Sequence, residues 1–376
     1  MRKSLLAVAV LGAFAGTAMA ADVQLYGVVD TGLTYTHLDT DVAGAKKTNN
    51  FEMTSGNEAG SRWGLKGTED LGNGYKVGFV LETQFTSDNG VEKSDTFFHR
   101  QATIDISGPF GQVYAGRINP MLGGTGTIGK SSMLSAFGTA WGDYAPQVGS
   151  TMRTQSTRNN ALVYVTPKFS GFQAYAYYSM GDNDKAENKS VDNERYAALA
   201  ATYQNGPVSA FFNVDRTFYG HDENRDRSKD VDDSLTVTLG GNYDFGVLKA
   251  YAAVQYFDEV TAGFSGVKTT LKADGVVDKM VEGWGLNLSV AAPVCGGTVM
   301  AGASYLDAKQ ADSVKDTKFD LNRYRVGVGY KYPLSKRTDI YAVAGYGKDE
   351  YKLKGENGKT VKPSYATAMF GIKHSF

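Results

Sequence analysis

Apolar and polar residues alternate with a period of two along most of the chain. Leu235, Val237, Leu239, Gly241 and Tyr243 share one face of a segment whose other face carries Thr236, Thr238, Gly240 and Asn242. Tyr324, Val326, Val328, Tyr330 and Tyr332 oppose Arg323, Arg325, Gly327, Gly329 and Lys331 in the same way. Trp284, Leu286, Leu288, Val290 and Ala292 repeat the pattern, as do Val208, Ala210, Phe212 and Val214. Successive side chains of a strand point to opposite faces, so each segment predicts a strand with one apolar face. Such strands run about 9–11 residues, the length needed to cross a bilayer at a tilt.

The connections alternate too. Short turns marked by Gly or Pro are predicted at 71–74, 108–111, 167–171, 204–207, 245–247, 293–297 and 333–337. Longer polar loops fall at 39–59, 87–95, 119–157, 182–193, 220–233, 259–280, 309–320 and 349–363. Seven turns and eight loops separate sixteen strands and leave both chain ends on the turn side. The predicted fold is all-β: a transmembrane antiparallel β-barrel with short periplasmic turns and long extracellular loops. Within hydrocarbon every backbone N–H and C=O needs an internal partner, and only a closed barrel gives strands that. Sixteen strands enclose an interior too wide for side chains to fill, so it holds water. A soluble sandwich would need a second apolar layer, whereas each strand here offers one apolar face.

Composition agrees. Twenty-three Tyr, 19 Phe and 45 Gly against 8 Pro are strand-rich and turn-rich. Aromatic residues crowd the strand ends, as in the interfacial girdles of membrane barrels. A mean hydropathy of −0.31, with no later apolar run of about 20 residues, argues against helical spans. The start differs from the rest: Arg2 and Lys3 precede an apolar run over 5–15, and Ala18-Met19-Ala20 is a small-residue cleavage site. Residues 1–20 are predicted to be a cleaved signal peptide, leaving 21–376 as a single barrel domain outside the cytoplasm. The lone cysteine, Cys295, excludes an internal disulfide. Without Arg2 and Lys3 the 39 basic residues become 37, against 40 acidic, a balance that excludes the usual basic nucleic-acid binder.

Candidate chemistry concentrates in the 119–157 stretch, which holds seven glycines, three aromatics (Phe137, Trp141, Tyr144) and the charges Lys130, Asp143 and Arg153. So long a connection marks function. It is expected to fold into the barrel as a pore-constricting loop at about 118–158. Within it, 124–131 (GTGTIGKS) matches the phosphate-loop pattern. That mechanism requires a parallel strand before the first glycine and a helix after the lysine. No βαβ unit surrounds the match, so Lys130 is read as a pore-loop charge. The four histidines accompany no Gly-x-Ser-x-Gly elbow. The acidic run Asp222, Glu223, Asp226, Asp230, Asp232 and Asp233 is interleaved with Arg225, Arg227 and Lys229, as a solvated loop would be. No catalytic residue, cofactor or metal is expected. Alternation points Arg62 and Lys66 into the lumen, opposite Trp63 and Leu65, and does the same for Arg323, Arg325 and Lys331. It leaves the direction of Arg100, Arg117 and Arg158 open.

Several stretches, in order, carry a resemblance: 25–30 (LYGVVD), 61–74 (SRWGLKGTEDLGNG), 100–102 (RQA), Gly116-Arg117, 158–164 (RNNALVY), 167–172 (PKFSGF) and 371–376 (GIKHSF). The chain resembles the Gram-negative outer-membrane general porins of the betaproteobacterial type. The resemblance implies a homotrimer of sixteen-stranded channels, set in outer-membrane lipid and lipopolysaccharide, whose third long loop bends into the pore. It further implies a basic cluster of Arg62, Arg100 and Arg158, with Arg117 a weaker member, facing that loop. The C-terminal Phe376 would be read by the barrel-assembly machinery. Many such porins set acids of the pore loop against the arginines; Asp143 is the only acid here, which tilts the expectation towards small anions. The alternative is a substrate-specific channel for sugars or dicarboxylates, with Phe137, Trp141 and Tyr144 as a short aromatic path.

Overall fold

A computed structural model describes residues 22–41, 46–181, 194–219, 232–261, 280–312, 319–354 and 358–376. The signal peptide expected at 1–20 lies outside them, as does most of the loops at 182–193, 220–233 and 259–280. The first strand segments are β1 (Gln24–Asp39), β2 (Thr48–Ser55), β3 (Arg62–Gly72), β4 (Tyr75–Gln84), β5 (Gln101–Gly108) and β6 (Gly111–Ile118). Beyond the long loop follow β7 (Arg158–Val165), β8 (Phe172–Ser179), β9 (Arg195–Asn205), β10 (Val208–Phe218), β11 (Ser234–Asp244) and β12 (Lys249–Thr261). The last are β13 (Met280–Val294), β14 (Gly297–Gln310), β15 (Phe319–Pro333), β16 (Thr338–Leu353), β17 (Thr360–Val361) and β18 (Ser364–Ser375).

All pair antiparallel in one sheet. β2 and β3 both pair with β1, and β17 and β18 both with β16, so each of these couples is one interrupted strand and the barrel has sixteen. β18 closes it onto β1, from Val28↔Ser375 to Asp39↔Ser364. At the seam Phe376 and Gly27 exchange backbone hydrogen bonds of 3.0 and 3.1 Å. Closure removes the unpaired edges that hydrocarbon forbids.

The alternation holds. Leu239 and Val328 are more than half exposed on the outside, whereas Thr238, Arg323 and Arg325 are fully buried on the inside. The turn between β3 and β4 has both Asn73 and Gly74 at positive φ, 53° and 82°, the geometry that suits a two-residue hairpin.

Two expectations about loops are corrected. Residues 39–59 contain β2, in register with β1 from Thr31↔Ser55 to Leu38↔Thr48. Its sequence, TNNFEMTS, has only two apolar residues, so pairing with β1 decides what alternation could not. The stretch 349–363 likewise begins inside β16, which continues to Leu353.

The 119–157 loop lies against the inner wall. Its underside is apolar: Ile118, Met121, Leu122, Leu134, Val148 and Met152 are fully buried, packed with Tyr175, Tyr177, Tyr196 and Phe211 of the wall. A fully buried side chain of this kind contributes about 1.5–3 kcal/mol. Polar bonds stitch the loop to β11, β12, β13 and β15. Asn242 donates to the Met133 carbonyl (3.1 Å), Gln255 to Arg153 O (3.1 Å), Asn287 to Pro146 O (2.7 Å) and Arg323 to Ser150 O (2.9 Å). The wall beneath is pared down to glycine where the backbones meet. A Cβ on Gly285 would stand 1.8 Å from the Thr151 carbonyl oxygen, and one on Gly345 would stand 2.8 Å from that of Tyr144. Against the loop the inner face is mixed: tyrosine, phenylalanine, alanine and glycine stand beside the polar anchors Asn242, Gln255, Asn287 and Arg323.

Candidate functional site: the constriction

Between the loop and the opposite wall lies a cavity of about 600 Å³. Tyr26, Glu58, Arg62, Lys66, Glu82 and Arg100 line one side; Gly124, Thr125, Gly126, Thr127, Thr139, Gln147 and Thr154 line the other. Strand alternation places the wall groups: on β4, Val80, Glu82 and Gln84 face inward while Phe79 and Leu81 face out. Glu82 is the hub. Its Oε1 accepts from Arg100 Nε at 2.7 Å, and its Oε2 lies 3.4 Å from Arg62 Nε and accepts from the Tyr26 hydroxyl at 3.0 Å. Arg100 also donates to Gln84 Oε1 (2.6 Å), and Arg62 to the Gly60 carbonyl (3.1 Å). Lys66 holds its ammonium 5.2 Å from the Tyr26 ring centre.

The loop side carries no ionised group. Gln101 of β5 fixes it, accepting from Thr127 N at 3.0 Å and donating to Thr127 Oγ1 at 3.1 Å. The first four residues of the phosphate-loop match, 124–127, thus line the cavity. The helix that a nucleotide site would need is only a three-residue 3₁₀ turn, Ser131–Met133. Lys130 turns away onto the Tyr175 ring (5.3 Å), where burial pulls its ammonium below its ordinary pKa. Asp143 is exposed and lies outside the cavity lining, so the expected acid of the loop does not face the arginines.

Arg62, Lys66 and Arg100 come together at the cavity; Arg117 and Arg158 do not line it. Arg158 is ion-paired with Glu194 and sits 5.0 Å from the Tyr196 ring centre. Its neighbour Arg153 is partly buried, and desolvation, helped by the like charge of Arg158, lowers its guanidinium pKa. Arg117 donates to the His99 carbonyl at 2.8 Å and bonds Asn159. Arg323 and Arg325 face inward as expected but are sealed beneath the loop, sharing the buried Asp349 at 2.8 and 2.7 Å. Arg323 anchors the loop through the Ser150 carbonyl, and both guanidiniums are fully buried, away from solutes. Lys331 is paired with Glu58.

Sequence reasoning missed Glu58, Glu82, Asp349 and Lys373. Alternation could have found Glu82, between Leu81 and Thr83 and opposite Phe79, and Lys373, opposite Phe370 and Ile372; nothing local announces Glu58 or Asp349. Among the described residues, no group of three or more His, Cys, Asp or Glu side chains could hold a metal ion. Most of the acidic run at 222–233 lies outside those residues.

An apolar exterior, a closed antiparallel sheet and a wet passage between a charged wall and an infolded loop define a membrane channel barrel. Comparison with known proteins agrees: the Gram-negative porin family model matches residues 7–352, and the chain belongs to that family. An outer membrane porin protein of Bordetella pertussis is 33% identical over the whole of both chains. One from Delftia acidovorans is 32% identical over the same span. The solved anion-selective porin from Comamonas acidovorans superposes with a TM-score of 0.67 at 27% identity, covering 95% of this chain and 100% of that one. The protein is therefore an outer-membrane porin of a Gram-negative bacterium.

Proposed function

We propose that the protein is a general diffusion porin with a preference for small anions. The observation that carries this reading is the make-up of the constriction: three cations, Arg62, Lys66 and Arg100, against two carboxylates, Glu58 and Glu82, with no ionised group on the loop side. A charged ring in a narrow aqueous gap bounded by low-dielectric walls raises the local concentration of counter-ions. The related Comamonas porin is described as anion-selective, which fits. Passage is passive and involves no catalysis, cofactor or metal. In planar bilayers under a potassium chloride gradient, the reversal potential is expected to show chloride the more permeant ion. A potassium preference would overturn the reading.

Residues 1–20 act as the export signal, and the turns face the periplasm with the loops outside. The barrels assemble as a homotrimer among lipid and lipopolysaccharide, and Phe376 is the signal for the assembly machinery. Cross-linking of detergent-extracted protein should give a ladder ending at three subunits. The sugar-channel alternative gains no support, because Phe137 and Trp141 are almost fully buried against the wall and Tyr144 stacks on Tyr365 at 4.7 Å. No aromatic path borders the gap.

A further inference from the structure

The wall carries a second element of the constriction, where the barrel strand shared by β2 and β3 breaks. Val28 of β1 pairs with Arg62 and Thr31 pairs with Ser55, so six residues, 56–61, stand opposite only Val29 and Asp30. The excess chain folds inward. Gly56, at φ 75°, starts the fold in a conformation that suits glycine. The buried Asp30 holds it: its Oδ2 accepts from Glu58 N (2.7 Å) and Ala59 N (2.8 Å), and its Oδ1 accepts from the Tyr341 hydroxyl (2.6 Å). Trp141 N donates to the Asn57 carbonyl at 2.6 Å, tying the fold to the pore loop.

This fold brings Glu58 to the cavity and between two lysines from the far side of the barrel seam. Its Oε1 accepts from Lys331 Nζ and, at 2.7 Å, from Lys373 Nζ. Asp339 Oδ2 lies 3.2 Å from Lys373 Nζ, and Asp339 Oδ1 lies 3.9 Å from Lys331 Nζ. The ammoniums are more open than the carboxylate: the side chains are 27% and 17% exposed for Lys331 and Lys373, against 12% for Glu58. Two cations and two carboxylates therefore balance beside the Arg62–Glu82–Arg100 group.

We propose that Glu58 sets selectivity through charge balance: the 56–61 fold holds it in the constriction, where its carboxylate, with that of Asp339, offsets Lys331 and Lys373. With the clamp intact, passing ions respond to Arg62, Lys66 and Arg100. Without Glu58, the two ammoniums keep only Asp339 and a net positive charge acts on the passage; without the lysines, the two carboxylates act on it. The inference rests on the passage assigned above, and it is tested by differences from wild type, which keep their meaning whichever ion the wild type prefers.

The test is the reversal potential of single channels under a potassium chloride gradient at low salt, where screening is weakest. Glu58→Gln, which preserves shape, is expected to raise the chloride-to-potassium permeability ratio about twofold. The double variant K331M/K373M should lower it by about as much or more, and Lys331→Met alone, which leaves Lys373 on the carboxylate, should fall between. Folding is checked by mobility on unheated gels; should the double variant not fold, Glu58→Gln and Lys331→Met still give the opposite signs required. Shifts of the same sign in the acid and lysine variants, or none in either, would overturn the proposal and leave the porin reading untouched.

Discussion

Glu82 holds two guanidiniums and a phenol at once, and the two arginines it holds are not equivalent. Arg100 is 7% exposed and bonded through two nitrogens, whereas the Arg62 side chain is a quarter exposed and lies 3.4 Å away. Removing one partner of an isolated buried pair costs about 3–5 kcal/mol, an upper bound here because Glu82 keeps Arg62 and the Tyr26 hydroxyl. Arg100→Gln should therefore lower the denaturation midpoint as well as the anion preference. Arg62→Gln should weaken the preference with little loss of stability, because a half-wet pair is worth about 1 kcal/mol or less. Reversal potentials together with urea unfolding in detergent separate the two; equal stability loss in both would contradict the account. Arg62 could be placed in the lumen from its alternation with Trp63. The ranking of Arg62 against Arg100 could not, since it depends on distances to a carboxylate from another strand.

The pore loop owes its position to the wall it lies on. Gly240, Gly285, Gly302, Gly327 and Gly345 come from five different strands, yet each would put a Cβ within 3.1 Å of a loop atom. In the sequence they read as ordinary inward-facing small residues, because their common purpose exists only once the strands are side by side. Gly285→Val or Gly345→Val should lift the loop from this trough towards Arg62 and Arg100. Overpacking of this kind costs about 1–3 kcal/mol. Single-channel conductance is expected to fall, with added flicker; unchanged conductance in both variants would show that the loop is not seated there. Asp349→Asn tests the same contact from the other side. It leaves Arg323 and Arg325 buried without the carboxylate they share, and should loosen the Ser150 end of the loop and raise open-channel noise.

Barrel closure is a property of the entire chain. The ring of Phe376 covers Gly27 so closely that a Cβ there would lie 2.3 Å from its Cζ, and the backbone bonds between these two residues complete the seam. Gly27→Val should obstruct closure, leaving protein that migrates alike on heated and unheated gels, where wild type shifts. Charge selectivity also belongs to the whole channel: it should decline as salt approaches 1 M, where the screening length is about 3 Å. A preference independent of salt would argue for size discrimination instead.

Period-two alternation, strand length and turn spacing determined from the sequence alone that the chain is a sixteen-stranded barrel with eight long loops, because these are local properties that repeat along the backbone. They also set which side of each strand is wet, and so where Arg62, Lys66, Arg323, Arg325 and Lys331 point. Only the tertiary structure decided which of those cations meet a solute. Asp349 silences two, Glu58 engages a third, and Glu82 gathers Arg62 with Arg100 while Arg158 goes to Glu194. Each of these carboxylates comes from a different segment from its cation. Electrostatic pairing across a closed sheet depends on register and curvature, which no single stretch of sequence contains.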